Sequence, residues 1–233
     1  MLLSPLQATV TMPPETVGDL KASGSSLLAF AAVRCGDQAA QPLVWMATSG
    51  YLETTIVQSP VRFQAYTAAW PPDPGPVVPG DQTEISLGQT LTVPEAGIGT
   101  LTQDGVERAI TIRNASSTAF ACGISRMVGG RYAPICRLPL YGHNGQVIEP
   151  VPAILLIVST LRTAAGTPCD TAVGPGVLLD LSTTRQVQVS YDINTGWDWK
   201  RATWGHAVEF GQPLQPLLVG ASADLTRRVA TSQ

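Results

Sequence analysis

The chain has 233 residues, of which 44% are hydrophobic and 13% charged, and its formal net charge is -3. The charged fraction is about half the usual quarter of soluble proteins. The abundant apolar residues exclude a disordered chain, and the lack of a Lys/Arg surplus argues against a nucleic-acid-binding protein. The length suits one large all-β domain or two smaller domains.

The start of the chain has no basic residue before its short apolar patch, so we expect no signal peptide. The most apolar run, residues 151–158, is far shorter than the ~20 residues of a membrane-spanning helix. The sequence therefore predicts a soluble, cytoplasmic protein without a transmembrane segment, with secretion by a leaderless route as the alternative.

Short apolar or alternating runs separated by Gly, Pro, Asn and Ser predict strands through most of the chain. The predicted strands are 27–34, 43–46, 54–57, 61–67, 84–87, 90–93, 109–113, 153–159, 177–181 and 186–191. The continuous apolar runs 153–159 and 177–181 are typical of strands that are covered on both faces. One short helix is expected over 15–22. The pattern indicates an all-β fold of the sandwich or barrel type.

The segment 71–80 contains five prolines. Because proline donates no backbone hydrogen bond, this segment cannot form a strand ladder. We interpret it as a stiff, extended loop.

An internal repeat is suggested by two stretches that share the order of their features. Each has a strand, a Tyr, a Trp, a long loop and the motif Gly-Gln-x-Leu, which falls at 88–91 and 211–214. We therefore predict two similar β halves, 1–100 and 101–233, with one compact unit as the alternative. A ligand site is expected at the junction of the halves or at their equivalent long loops.

The four cysteines, Cys35, Cys122, Cys136 and Cys169, lack the spacing of a zinc site. Cys122 and Cys136 flank a predicted turn at 128–131 and would lie nearly opposite each other in a hairpin. A disulfide is therefore one interpretation, but two buried thiols are favoured in a cytoplasmic protein.

The densest functional signal lies near the C-terminus, where three of the five tryptophans fall between residues 197 and 204. Indole and phenol rings offer apolar faces for sugars, lipid head groups and partner proteins. The predicted ligand-binding residues are Tyr191, Trp197, Trp199, Arg201 and Trp204. In an extended segment Trp197 and Trp199 would face opposite sides, so one ring is expected in the core and the other in solvent. The alternative is that these rings close the end of the β core.

The run from Tyr191-Asp192-x-Asn194 through the Trp-rich loop to Trp204 resembles the lipid-headgroup loop of actinoporin-type pore formers. This resemblance implies binding to a membrane surface, as a cytolysin does. The rest of the chain departs from that family, since it is longer, is not basic and has no clear amphipathic N-terminal helix.

Catalysis is a further possibility, with Tyr191, Asp192, Asp198 and His206 as the candidate catalytic residues. No phosphate-binding loop, dinucleotide fingerprint or nucleophile elbow is present, so we expect no cofactor. An enzyme of this type would be a cofactor-free cyclase or isomerase that holds a small apolar substrate in a cavity between the halves.

Oxygen-bearing residues two apart, Asp192-x-Asn194-x-Gly196-x-Asp198, give a partial calcium-loop pattern. Glycine stands where a ligand is needed, so we interpret this stretch as a turn rich in Asx residues and expect no metal site.

Taken together, the sequence favours a non-catalytic binding or self-assembly protein that uses its aromatic loop for recognition. A weakly charged β surface also favours a homo-oligomer, because apolar patches gain free energy by burial. The expected ligands are a small molecule, a glycan or a lipid.

Overall fold

The computed structural model describes residues 5–37, 39–72, 75–96 and 98–220. The first four residues, on which the expectation of no signal peptide partly depends, lie outside the described residues. So do residues 73–74 of the proline-rich segment, Gly97 at the predicted junction of the halves, and the last part of the predicted second half.

The predicted all-β class is confirmed, because eighteen strands and only two short helices make up the regular structure of the described residues. The helices are α1 (Pro14–Ala22), which confirms the helix expected at 15–22, and α2 (Gln215–Leu218). The strands are β1 (Leu6–Thr11), β2 (Ser26–Cys35), β3 (Gln41–Pro42), β4 (Met46–Thr48), β5 (Thr54–Ser59), β6 (Phe63–Ala68), β7 (Gln82–Ile85), β8 (Thr90–Val93), β9 (Thr100–Thr102), β10 (Ile110–Asn114), β11 (Phe120–Val128), β12 (Arg131–Pro134), β13 (Cys136–Leu140), β14 (Gly145–Ser159), β15 (Gly176–Asp180), β16 (Gln186–Asp192), β17 (Gly196–Asp198) and β18 (Gly205–Val208).

The strands form three sheets in a sandwich-like arrangement. The four-stranded sheet has the order β17-β16-β1-β5. The eight-stranded sheet runs β18-β15-β14-β10-β8-β9 with β2 and β4 attached through β14, and the six-stranded sheet runs β3-β13-β11-β6-β7 with β12 paired to β11. Each sheet contains strands from both sides of residue 100. Within the described residues no helix is long and apolar enough to cross a membrane.

The centre of the molecule is the antiparallel contact of β14 with β2 and β15. Consecutive residues of β14 from Ala153 to Ile157 have no exposed surface, although their side chains alternate between the two faces. The strand is therefore covered on both sides, as its continuous apolar sequence predicts. Each fully buried Leu or Ile of this kind contributes about 1.5–3 kcal/mol to stability.

The strand predicted at 43–46 is wrong for residues 43–45, and only Met46 lies in a strand, where it begins β4. Leu43, Val44 and Trp45 are fully buried but lie between β3 and β4, and their N–H groups donate to three separate partners. The acceptors are the carbonyls of Ile135, Thr167 and Ala29, at 3.1, 2.9 and 2.9 Å. This stretch is apolar because it passes through the core. It connects β3 to β4 and does not form a continuous ladder with any one strand.

The hairpin expected near Gly129 is present, since β11 and β12 are joined by Gly129 and Gly130, both with positive φ. Between the Ser125–Pro134 and Cys122–Leu138 pairs, the chain that runs from β12 into β13 has one more residue than the opposing part of β11. This irregularity shifts the register and places Cys122 opposite Leu138. All four cysteines are free and buried, so the favoured interpretation of unpaired thiols is confirmed.

A close contact between β6 and β13 depends on Gly123 of β11. The hydroxyl of Tyr66 donates to the carbonyl oxygen of Cys136 at 2.6 Å, directly over Gly123. A Cβ at residue 123 would lie 2.6 Å from the Tyr66 hydroxyl and still closer to the Cys136 carbonyl. Only glycine therefore allows this approach.

The two Gly-Gln-x-Leu motifs form turns of the same local geometry. In each motif the side-chain oxygen of the glutamine accepts a hydrogen bond from the N–H three residues before it, at 2.7 Å for Gln89 and 3.0 Å for Gln212. The preceding glycines have nearly equal φ values, +84° at Gly88 and +80° at Gly211. The similarity is local, and the pseudo-symmetric halves stay a prediction.

Replacing Gly123 by Ala should destabilise the protein by about 2 kcal/mol or more, because the new methyl group overlaps backbone as well as a buried ring. Gly18→Ala is the matched control, since an added Cβ there meets no atom within 4 Å and the residue is helical. Denaturant unfolding should show Gly18→Ala stabilising by up to about 1 kcal/mol. Equal effects of the two substitutions would contradict the packing described here.

The buried thiols should make stability fall at alkaline pH. Burial raises the pKa of Cys136 to about 12, whereas an unfolded thiol has a pKa of about 8.5. Above about pH 8.5 the unfolded state therefore binds fewer protons than the folded state, and its deprotonation favours unfolding. Urea unfolding at pH 7 and 9.5 should show a smaller loss of stability for Cys136→Ala than for the parent chain.

A thiol titration of the unfolded, unreduced chain should find four free thiols; fewer than four would contradict the unpaired state.

Candidate functional site

The predicted aromatic site lies on the chain that leaves the four-stranded sheet and enters the eight-stranded sheet. We call residues 196–206 the indole segment. β16 and β17 form an antiparallel hairpin in which Tyr191 is opposite Trp197 and Asp192 is opposite Gly196. The chain then turns back into β18, which pairs with β15. The indole segment thus connects two sheets at one end of the sandwich.

Trp197 is fixed by a ring contact and a hydrogen bond. Its indole meets the Tyr191 ring edge-to-face with the ring centroids 5.0 Å apart. Its Nε1–H donates to the carbonyl of Pro175 at 3.0 Å. Tyr191 is buried, and this burial raises the pKa of its hydroxyl. The pair closes the edge of the core and leaves part of the indole accessible.

Trp199 and Trp204 are also partly buried and pack against the core. The Trp199 ring lies across Gly205, where an added Cβ would come within 2.5 Å of the ring. The expectation that one of Trp197 and Trp199 is in the core and the other in solvent is therefore wrong. Both rings fold back onto the protein, Trp197 towards Tyr191 and Trp199 over Gly205, because both are large apolar groups at the margin of the core.

The indole segment contains an exposed tight turn whose two central residues are cations. The N–H of Ala202 donates to the carbonyl of Trp199 at 3.1 Å, and the central residues Lys200 and Arg201 have φ values of +55° and +56°. Positive φ at both central positions is typical of a type I′ turn, which favours Asn and Gly. Both side chains are exposed. Within the described part of the chain, neither forms an ion pair.

The candidate catalytic residues are distributed over different surfaces. Asp192 and Asp198 share one face of the β16–β17 hairpin, whereas Tyr191 lies on the opposite face beside Trp197. His206 is in β18, opposite Leu178 of the eight-stranded sheet. Catalysis by these groups stays a prediction.

The two aspartates serve the local backbone, as expected for Asx turns. The carboxylate of Asp192 accepts a hydrogen bond from the N–H of Asn194 at 2.7 Å, and that of Asp198 from the N–H of Lys200 at 2.8 Å. Among the described residues, no group of three or more His, Cys, Asp or Glu side chains is placed to hold a metal ion.

Two cavities lie away from the indole segment. A groove of about 570 Å³ is lined by residues of β6, β7, β9 and β12, and the Tyr132 hydroxyl donates to the Glu84 carboxylate there at 3.0 Å. A smaller cavity of about 220 Å³ lies under the proline-rich segment and includes Arg137, whose guanidinium donates to the Gln41 amide oxygen.

Arg126 is a buried cation that the sequence analysis missed. It is 3% exposed, and its Nε and Nη1 atoms have no hydrogen-bond partner among the described residues. The guanidinium carbon lies 6.0 Å from the ring centroid of Trp45 and 5.7 Å from that of Phe63. Burial, together with the charge of Arg185, lowers the pKa of Arg126 to about 10. The two aromatic faces offset part of the cost of burying this charge.

A period-two reading of β11 would have identified Arg126. Cys122 and Ile124 face the core, so the next residue on the same face is at position 126. Arg126 therefore places a cation on a face of β11 whose preceding residues are apolar and buried. Such local departures from the packing rules concentrate at functional or strained sites.

Gly205→Ala should displace the indole of Trp199 without removing any side chain of the indole segment. The added methyl overlaps the Trp199 ring, so the ring must move outward into water. We expect a red shift of tryptophan emission in Gly205→Ala and an unchanged far-ultraviolet circular dichroism spectrum. Gly18→Ala, with no atom near its new methyl group, is the control. An unchanged emission spectrum in Gly205→Ala would refute the described packing of Trp199.

Comparisons of the chain with protein families, with curated proteins and with solved structures find no match, so the site is interpreted from its own geometry.

Proposed function

We propose that this protein is a non-catalytic binding protein whose indole segment recognises an anionic group attached to a ring or an apolar body. A sulfated or carboxylated glycan and a phospholipid head group share this chemistry. The observation that carries the proposal is the strained turn that holds Lys200 and Arg201 beside the indoles of Trp199 and Trp204.

The strain in this turn supports a functional role. A left-handed conformation costs about 1–2 kcal/mol for each residue that carries a Cβ. Asn-Gly would form the same turn at little cost, yet two long cations occupy its centre. Strain of this kind persists where the rest of the structure imposes it, and it clusters at binding and catalytic sites.

The surroundings of the turn favour an anionic ligand. The two exposed cations form no ion pair with any described residue, so they remain available to a negatively charged partner. The neighbouring indoles are partly exposed and are fixed by the core, which lowers the entropy lost when a ligand ring packs on them. A charge contact combined with ring packing is the recognition mode that this surface supports.

The test replaces the two cations by the residues that the turn prefers. Lys200→Asn/Arg201→Gly should raise the free energy of unfolding by about 1–2 kcal/mol, because the strain is relieved. The same variant should bind at least about tenfold more weakly, because both charged contacts are lost. Binding is measured separately to immobilised heparin and to vesicles of phosphatidylserine and phosphatidylcholine, which distinguishes a glycan from a lipid source.

The matched control is Lys21→Gln/Arg108→Gly. It removes two exposed cations elsewhere, and it also relieves positive-φ strain at one residue, Arg108, whose φ is 65°. This control should bind as the parent chain does. The proposal fails if the parent chain binds neither probe, or if the control loses as much affinity as the Lys200→Asn/Arg201→Gly variant.

A further inference from the structure

The strand β5 lies at the edge of the four-stranded sheet and pairs only with β1 among the described strands. The N–H of Met12 donates to the carbonyl of Glu53, which identifies the hydrogen-bonded pairs of this antiparallel ladder. Hydrogen-bonded and non-hydrogen-bonded pairs alternate along an antiparallel ladder. The residues of β5 whose backbone groups bond to β1 are therefore Thr55, Val57 and Ser59. The residues between them direct their N–H and C=O groups away from β1.

The outward backbone groups of β5 are therefore those of Thr54, Ile56 and Gln58. No described residue forms a hydrogen bond with them. All three side chains are exposed, and Ile56 is 57% exposed. A row of unpaired backbone groups beside an exposed apolar side chain is a template for pairing with another strand.

The usual protections of an edge strand are absent from β5. Natural edges carry Lys or other charges, an internal proline or a β-bulge. β5 has the sequence Thr-Thr-Ile-Val-Gln-Ser, contains no charge or proline, and pairs with β1 without a break in register. Pro60 follows the strand and limits the pairing at that end, because it has no N–H to donate.

We propose that β5 pairs with β5 of a second copy of this chain, antiparallel, about a two-fold axis through Ile56. This register places Ile56 opposite the same residue of the second copy, and Thr54 opposite Gln58. Three outward residues from each copy then exchange about six backbone hydrogen bonds. The two four-stranded sheets become one continuous sheet across the dyad.

A second copy is the occupant that the strand itself favours. An interface on a two-fold axis must be self-complementary, and the antiparallel register pairs every outward donor of β5 with an outward acceptor. Because β5 carries no charge, two copies do not repel each other along the strand. Glu53, the nearest charged residue before β5, would face Ser59 of the second copy, and no like charges meet. This inference does not depend on the proposed function of the indole segment.

The first test places a charge on the dyad. Ile56→Lys brings two ammonium groups together, and the dissociation constant of the dimer should rise at least about tenfold. Leu161→Lys is the matched control, since Leu161 is 55% exposed but lies outside the strands. Sedimentation over a concentration series should give twice 24.5 kDa for the parent chain and for Leu161→Lys, and 24.5 kDa for Ile56→Lys.

The second test examines the register. Ile56→Cys places two thiols opposite each other, within the Cα separation that a disulfide spans, whereas the thiols of Gln58→Cys would be four residues out of register. Mild oxidation should therefore give a covalent dimer for Ile56→Cys and none for Gln58→Cys. The four native cysteines are buried, so we expect them not to react under these conditions.

Three results would overturn the proposal. They are a parent chain that stays at 24.5 kDa throughout the series, a dimer that persists in Ile56→Lys, and equal cross-linking of the two cysteine variants. If the protein is instead monomeric and binds a different polypeptide along β5, the proposal is also wrong, and the edge belongs to that partner. Lys200→Asn/Arg201→Gly should remain dimeric and Ile56→Lys should still bind heparin or vesicles, so failure of one proposal is distinguishable from failure of the other.

Discussion

The strands β2, β14 and β15 carry apolar side chains on both faces, so the sheet that they form is stable only when other layers cover both sides. This requirement explains the three-sheet arrangement. It also explains why the indoles of the 196–206 segment fold back onto the protein, since they lie where the margin of this core would otherwise meet water. The cationic turn and the β5 edge are two exposed features of the described residues, and the two proposals rest on them.

Strand content was predictable wherever one physical signal dominated. The run 153–159 is continuous and apolar, and it is a strand covered on both faces. The same signal failed at 43–45, because an apolar run also arises where the chain crosses the core between elements. Sheet order could not be predicted, since the parallel pairing of β1 with β16 depends on contacts that are distant in sequence.

The candidate site was predictable in its composition but not in its geometry. The clustering of tryptophans identified the segment, whereas the positive φ values at Lys200 and Arg201 have no sequence signal, because neither residue favours that conformation. The orientation of Trp197 and Trp199 was predicted wrongly because alternation holds only while a strand continues, and β17 ends at Asp198. Arg126 was detectable in principle, because it follows Cys122 and Ile124 at the two-residue spacing of one strand face.

The crossing at residues 43–45 has a consequence for the order in which the molecule assembles. Its three N–H groups need acceptors from Ile135 between β12 and β13, from the loop after β14 and from β2. Residues 43–45 can therefore reach their final position only after those parts have come together. Chains dominated by such distant contacts fold slowly, and long-range pairing leaves strands uncovered in the meantime. We therefore expect newly synthesised chains to associate with one another before they have finished folding. The uncharged β5 strand is where we expect this association to begin.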